Sequence, residues 1–276
     1  MKIVEANSAK IPAIGLGTYR LKGEDATGAV KHAIEIGYRH IDTAQMYDNE
    51  EAVGKGIAAA PVAREEVFLT TKIWPDNFGH GDLIAAAKES IARLKTDYVD
   101  LLLLHWPSKT IPLKETMLAL NEVQAAGLAK HIGISNFTTS LIEEAASLTS
   151  VPLAVDQVEY HPYLSQDKVL SALRVHGMAL TAYAPLAHAK VSDDKVIQDI
   201  AKAHGKTPGQ IALRWLVQQD GVIAIPKSGN PERQKQNIEI FDFELSDDEM
   251  ARLFALQTPK GRIIDPAGIA PEWDAA

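Results

Sequence analysis

Short apolar stretches rich in Val, Ile, Leu and Tyr alternate with amphipathic helical patterns over most of the chain. This alternation is typical of a parallel sheet whose strands are joined by crossover helices. Eight strands are predicted, at residues 14–19, 38–42, 67–72, 99–105, 130–135, 154–159, 179–183 and 222–226. Helical patterns between them include residues 26–36, 82–94, 113–126, 166–175 and 208–219.

Eight strand–helix units predict an α/β fold of the (β/α)8 TIM-barrel type, and 276 residues suit one such barrel. Ahead of the first strand, residues 2–5 and 11–13 flank Asn7-Ser8, which predicts an N-terminal β-hairpin at the barrel floor. Two additional helices are expected, at residues 193–203 and 247–256. Because no linker or repeat is visible, a single domain over residues 1–276 is predicted.

The composition narrows the classes of function. A net charge of -8, without long Lys/Arg runs, argues against nucleic-acid and anionic-membrane partners, which need concentrated positive charge. The sequence has no Cys, so disulfides and thiolate metal sites are excluded. The N-terminus lacks an apolar signal region, and no apolar run could span a bilayer, so a cytoplasmic location is expected.

Reactive side chains fall where the predicted strands end, which is where chemistry sits in such barrels. Asp42 closes the second strand and Tyr47 follows it; Lys72 closes the third strand. His105 closes the fourth. Free tyrosine has a pKa of about 10, and a nearby ammonium favours its phenolate. We expect Lys72, paired with Asp42, to lower the pKa of Tyr47, making it a general acid for carbonyl reduction. His105 would hydrogen-bond the substrate carbonyl or share the proton.

A candidate phosphate site follows the eighth predicted strand. Asn230 can cap a helix whose first turn holds Pro231, leaving free backbone amides directed at an anion. Lys227, Ser228 and Arg233 surround that entrance and suit the ribose 2′-phosphate of NADP.

The segment around Gly15 and Gly17 resembles the start of a dinucleotide fingerprint, but Arg20 occupies the third glycine position. We interpret it as a tight entry to the first strand, with Gly17 and Thr18 beneath the cofactor.

An apolar collar for the substrate is predicted around Tyr47 and His105, formed by Tyr19, Trp74, Trp106 and Trp273. The tail from residue 259 to 276 is expected to supply the remaining wall.

Over essentially its whole length the sequence resembles the aldo-keto reductase family. The matching motifs are YRHIDTAQMYDNE, TTKIW, LLLLHWP, HIGISNF, DQVEYHPY and IPKS followed by Arg233. Among subfamilies, the short loops and the ending GRIIDPAGIAPEWD look most like bacterial diketogluconate reductases and their methylglyoxal-reducing relatives. The resemblance implies NADPH-dependent reduction of aldehydes, ketones and α-dicarbonyls, such as methylglyoxal and diketogluconate, by a monomer that needs no metal.

The resemblance also assigns roles. The implied catalytic tetrad is Asp42, Tyr47, Lys72 and His105. Contacts to the nicotinamide carboxamide are implied for Ser135, Asn136 and Gln157, and a ring stacked on the nicotinamide for Tyr183. The remaining implied cofactor contacts are Asp42, Leu186, Lys227, Ser228, Arg233 and Asn237. Gln236 departs from the Glu that many members carry near the adenine.

Two other functions fit parts of the pattern. A metal-dependent hydrolase would use His40 and Asp42, with His105 and His161 recruited, but it leaves Lys72 and Tyr47 without a role. A cofactor-binding regulatory subunit would keep the barrel without turnover, because a fold does not guarantee activity.

Overall fold

The computed structural model describes residues 2–274. Its strands are β1 (Ile3–Ala6), β2 (Ala9–Pro12), β3 (Leu16–Gly17), β4 (His40–Asp42), β5 (Phe68–Ile73), β6 (Val99–Leu104), β7 (Ala129–Ser135), β8 (Val155–Glu159), β9 (Ala179–Tyr183) and β10 (Val222–Ala224). The α-helices are α1 (Gly23–Glu35), α2 (Glu50–Ala58), α3 (His80–Leu94), α4 (Leu113–Ala125), α5 (Thr139–Leu148), α6 (Asp167–Val175), α7 (Lys195–His204), α8 (Pro208–Gln218), α9 (Pro231–Ile238) and α10 (Asp247–Phe254).

Strands β3 to β10 form one parallel sheet in sequence order. Its two edges meet, because the Gly15 amide donates to the Ala224 carbonyl and the Ala224 amide donates to Ala13, both at 2.9 Å. Helices follow the strands in turn, as in a (β/α)8 barrel. The predicted fold class is therefore confirmed.

The hairpin β1–β2 covers the amino-terminal end of the barrel. Its strands pair antiparallel around Asn7 and Ser8, both of which have positive φ, as a two-residue hairpin turn requires. The Asn7 side-chain amide donates to the carbonyls of Leu153 and His176, which precede β8 and β9. The predicted hairpin at the barrel floor is present.

Both predicted additional helices are present, with boundaries shifted by two residues or fewer at each end. Helix α7 is capped by Asp194, whose carboxylate accepts from the amides of Val196 and Ile197. Helix α10 opens with a capping box between Ser246 and Glu249.

The first barrel strand is much shorter than the predicted stretch 14–19 and covers only Leu16–Gly17. The chain turns away immediately after it, because the Leu21 amide folds back to the Thr18 carbonyl at 3.0 Å and Arg20 adopts a left-handed φ of 64°. Among residues 2–274, no helix is long and apolar enough to cross a membrane.

Candidate active site

The four residues of the predicted tetrad meet at the carboxyl end of the barrel. Asp42 is the last residue of β4, Lys72 lies in β5, and His105 directly follows β6. Tyr47 ends a single 3₁₀ turn, Gln45–Tyr47, after β4. Parallel strands end at one rim, so residues far apart in sequence come together there.

Lys72 is fully buried, and its ammonium group has close partners. It donates to Asp42 Oδ1 at 2.5 Å and to the Thr43 carbonyl at 2.8 Å, and it lies 3.5 Å from the Tyr47 hydroxyl. The other Asp42 oxygen accepts from the Gln157 side chain at 2.7 Å. Burial lowers the pKa of Lys72, and the carboxylate of Asp42 opposes that shift.

Tyr47 and His105 are both held in their neutral forms. Burial raises the pKa of Tyr47 well above 10, and the negative charge of Asp42 raises it further. The expectation that Lys72 lowers this pKa is wrong, because burial and the charge of Asp42 together raise it. Burial, followed by the charge of Lys72, lowers the pKa of His105 well below 6.5. The His105 and Tyr47 rings meet edge to face at 5.6 Å.

A hydrogen-bonded group of side chains continues the rim on β7, β8 and β9. Asn136 has a left-handed φ of 64°, and its side-chain amide donates to the His105 carbonyl and to Ser135. The Tyr183 hydroxyl donates to Asn136 Oδ1 at 2.7 Å, and the Ser135 hydroxyl donates to the Gln157 carbonyl at 2.7 Å. These contacts fix the orientation of the polar rim.

One continuous cavity of about 510 Å³ connects these groups. The predicted site residues that line it are Gly17, Thr18, Tyr19, Asp42, Tyr47, Trp74, His105, Trp106, Ser135, Asn136, Gln157, Tyr183, Leu186, Lys227 and Arg233. Aromatic side chains lie beside Tyr47 and His105, and two cations lie near the start of α9. The cavity therefore joins a cationic region at Lys227 and Arg233 to a region with the titratable side chains of Tyr47 and His105.

The cationic region is built by a capped helix and a close approach of two chain segments. Asn230 caps α9 by accepting from the Arg233 amide at 3.0 Å. Gly17 pairs with Lys227 across the closed barrel. A β-carbon on Gly17 would lie 2.7 Å from the Ile225 carbonyl oxygen, so only glycine fits.

Four predicted site residues do not line the cavity. Lys72 lies behind Tyr47, and the Ser228 hydroxyl is engaged with the backbone of Asn230. Asn237 is buried in α9. Trp273 packs edge to face against the lining residue Trp106, with ring centroids 6.1 Å apart.

Several lining residues were not predicted from the sequence. They are Arg20, Met46, Ala184, Pro185, His188, Ala189, Ile225 and Pro226. Ile264, Pro266 and Ile269, which belong to the predicted tail, also line the cavity. Consecutive left-handed residues at 187–189 bend the loop after β9 over the cavity. No spacing signal in the sequence marks such a loop, whereas the expectation that the tail supplies a wall agrees with Ile264, Pro266 and Ile269. Ala275 and Ala276, also part of that expectation, lie outside the described residues.

Two of the three histidines considered for a metal site, His40 and His161, have other partners. His40 contacts the Pro12 carbonyl and the Thr70 hydroxyl, and His161 lies 2.9 Å from Glu159. Within residues 2–274, no group of three or more His, Cys, Asp or Glu residues is arranged to hold a metal ion.

Comparison with known proteins identifies the family. The family model of the Aldo/keto reductase family matches residues 13–257. The chain is 44% identical to methylglyoxal reductase DkgB of Escherichia coli O157:H7 over 267 residues, 96% of this chain and 99% of that protein. It is 42% identical to glyoxal reductase of Bacillus subtilis over 251 residues, 91% of this chain and 90% of that protein.

Two solved structures agree. A putative 2,5-diketo-D-gluconic acid reductase B has 51% identity and a TM-score of 0.98, covering 100% of this chain and 98% of that one. A Bombyx mori aldo-keto reductase in complex with NADP has 35% identity and a TM-score of 0.89, covering 96% and 95%. The predicted family and its likeness to methylglyoxal and diketogluconate reductases are confirmed, and the chain belongs to the aldo/keto reductase family.

Proposed function

We propose that this protein is an NADPH-dependent reductase of aldehydes, ketones and α-dicarbonyls, with methylglyoxal and diketogluconate as model substrates. Family membership makes the chain an oxidoreductase that reduces carbonyl groups of small molecules. The observation that carries the finer proposal is the single cavity running from Lys227 and Arg233 to Tyr47 and His105.

The residues at the cationic end fit a nicotinamide dinucleotide with a 2′-phosphate. Lys227 and Arg233 offer charged donors on a protein whose net charge is -8, and Arg can hold a phosphate through two parallel hydrogen bonds. The capped start of α9 adds free amides there. The relative solved with NADP supports this assignment.

The polar rim fits the carboxamide of the nicotinamide. Asn136 Oδ1 accepts one hydrogen bond, from Tyr183, and retains a second lone pair for an amide donor. Gln157 is held by Asp42 and faces the same cavity, beside Ser135. We propose that these three residues orient the cofactor and that Tyr183 packs against its ring. When bound, NADPH supplies the hydride for the carbonyl carbon.

The chain supplies the proton. Tyr47 is a neutral phenol at physiological pH, so its hydroxyl carries a proton that can pass to the oxygen of the reduced carbonyl. His105 is neutral and can donate one N–H hydrogen bond to that oxygen without itself being a strong acid. Lys72, held by Asp42, places its ammonium group 3.5 Å from the Tyr47 hydroxyl, where it can donate a hydrogen bond to that oxygen.

The first test is consumption of NADPH by the purified protein with methylglyoxal. Tyr47→Phe is expected to lower kcat by roughly 10² to 10⁴-fold while the Kd for NADPH, measured by calorimetry, stays nearly constant. Tyr160→Phe is the matched control, because Tyr160 is a buried tyrosine outside the cavity that donates to Gln219.

Two outcomes would contradict the proposal. A Tyr47→Phe variant that keeps most of its turnover would remove Tyr47 as the proton donor. Tight NADPH binding without turnover of any small carbonyl would instead indicate a cofactor-binding subunit.

A further inference from the structure

A fully buried carboxylate at the end of β8 is not used by the proposed chemistry. Glu159 Oε1 accepts from the Ile263 amide at 2.7 Å, and Oε2 accepts from the Ile264 amide at 2.8 Å. The two oxygens thus grip consecutive amides of a segment about a hundred residues later in the chain. Hydrogen bonds to an ionised acceptor are roughly twice as strong as neutral ones.

The Glu159 carboxylate has two further partners besides the amides of Ile263 and Ile264. The Tyr163 amide donates to His161 Nδ1, so the hydrogen of that ring is on Nε2, which donates to Glu159 Oε1 at 2.9 Å. The Arg262 guanidinium lies 4.0 Å from Oε2. Three of these four partners of Glu159 therefore belong to residues 262–264.

The gripped residues belong to what we call the C-terminal strap, residues 258–274, which form no helix or strand. One end is fixed where the Thr258 amide donates to the Tyr163 carbonyl at 3.1 Å. The other end is fixed by Asp274, whose carboxylate accepts from the amide and hydroxyl of Thr139. Between these points, Glu159 is the attachment closest to the cavity residues of the strap.

The strap supplies part of the apolar cavity wall. Ile264, Pro266 and Ile269 line the cavity, whereas the neighbouring Ile263 is 40% exposed. Because Glu159 holds the amides of residues 263 and 264, it determines which isoleucine faces the cavity. Removing the grip would free this wall and leave the rim residues on β4, β5 and β6 unchanged.

We propose that Glu159 is a positioning residue that sets substrate preference by holding the C-terminal strap against the cavity. This inference rests on the proposed reductase function. Bulky aromatic aldehydes need the apolar wall for binding, whereas methylglyoxal makes few wall contacts. Loss of Glu159 therefore changes selectivity more than chemistry.

The primary test compares Glu159→Gln with the wild type. The amide nitrogen of glutamine cannot accept a hydrogen bond, so at least one strap amide loses its partner. The ratio of kcat/KM for 4-nitrobenzaldehyde to that for methylglyoxal is expected to fall by about tenfold, the size of one lost apolar contact in a pocket. The change should lie in KM rather than kcat, with the Kd for NADPH unchanged.

Glu50→Gln is the matched control for burial. Glu50 is also buried and holds Thr71 and Arg93, but it does not contact the strap. The selectivity ratio should stay at the wild-type value in this variant, whatever its stability. An equal fall in both variants would show that general destabilisation, not the strap, changes selectivity.

A second pair of variants tests the grip without altering Glu159. Ile263→Pro removes the amide hydrogen that Glu159 accepts, and Ile263→Ala shortens the same exposed side chain but keeps that amide. Ile263→Pro should reproduce the lower ratio and Ile263→Ala should not. If Glu159→Gln does not fold, this pair decides the question.

Limited trypsin digestion measures how accessible the strap is to a protease, independently of turnover. Cleavage after Lys260 or Arg262 removes a C-terminal fragment that intact-mass spectrometry detects. Cleavage after Lys260 should be faster in Glu159→Gln and Ile263→Pro than in the wild type or either control, and this bond is the one to compare because trypsin does not cut the Arg262–Pro bond of Ile263→Pro. A folded Glu159→Gln with wild-type selectivity or wild-type cleavage would overturn the proposal. If the wild type reduced neither aldehyde, the proposed function would fail, while digestion would still report whether Glu159 holds the strap.

Discussion

Replacing Lys72 by Met is expected to destabilise the fold strongly, because it leaves the buried charge of Asp42 without its cation. Lys72 is 0% exposed, and its ammonium contacts Asp42 Oδ1 at 2.5 Å. After the change, the Gln157 amide at 2.7 Å remains as the side-chain donor to that carboxylate. Breaking a buried ion pair by removing one partner costs about 3–5 kcal/mol. Met fills a similar volume, so little of this loss comes from a cavity.

Urea unfolding and thermal melting measure the effect. For a protein of this size, each kcal/mol lowers Tm by roughly 2–4 °C, so a decrease of about 6–20 °C is expected. The double variant Asp42→Asn/Lys72→Met removes both charges and should be more stable than Lys72→Met alone.

Lys31→Met is the control, because it breaks an exposed pair with Glu35 and should change the free energy of unfolding by less than about 0.5 kcal/mol. The reasoning is refuted if Lys72→Met loses less than about 1 kcal/mol. It is also refuted if adding Asp42→Asn destabilises that variant further.

Three other predictions address cofactor, pH and tail. Arg233→Ala should weaken NADPH binding about tenfold or more and barely change NADH binding. Equal losses of affinity for both cofactors in calorimetry would show that Arg233 does not bind the 2′-phosphate. The pKa of His105 is lowered in the folded state. Below about pH 6.5 the unfolded chain therefore binds a proton at this residue that the folded chain does not bind, and the free energy of unfolding decreases. His105→Gln should reduce this loss by up to about 1.4 kcal/mol per pH unit in urea titrations, and an unchanged slope would contradict it. Deleting residues 259–276 should raise KM for aromatic aldehydes more than for methylglyoxal, and equal changes would show that the pocket does not depend on this wall.

The barrel and its polar rim were predictable because both follow from local patterns. The strand-like stretches at residues 38–42 and 67–72 placed Asp42 and Lys72 at strand ends, and the structure has them at the last position of β4 and the penultimate position of β5. Parallel strands bring such ends together whatever lies between them. The rim geometry therefore followed from topology once eight strands were recognised.

The electrostatics and the strap were not predictable in the same way. The pKa of Tyr47 depends on burial and on the nearby charge of Asp42, which sequence spacing does not contain. The contact between Glu159 and Ile263 joins residues 104 apart without any periodic signal. Trp273 was expected in the wall as an aromatic residue in the tail, but it contacts the lining residue Trp106 without lining the cavity itself.

The seam that closes the barrel has a consequence for the order of folding. The Gly15 amide bonds to Ala224, and the hairpin β1–β2 is tied to Leu153 and His176 through Asn7. During synthesis the first segment leaves the ribosome long before its partners exist. The free edge at Gly15 must wait for its partner until residue 224 has been translated, because contacts of this sequence separation form late. Ribosome-bound chains that end before β10 can therefore build adjacent strand–helix units, but they cannot complete the ring.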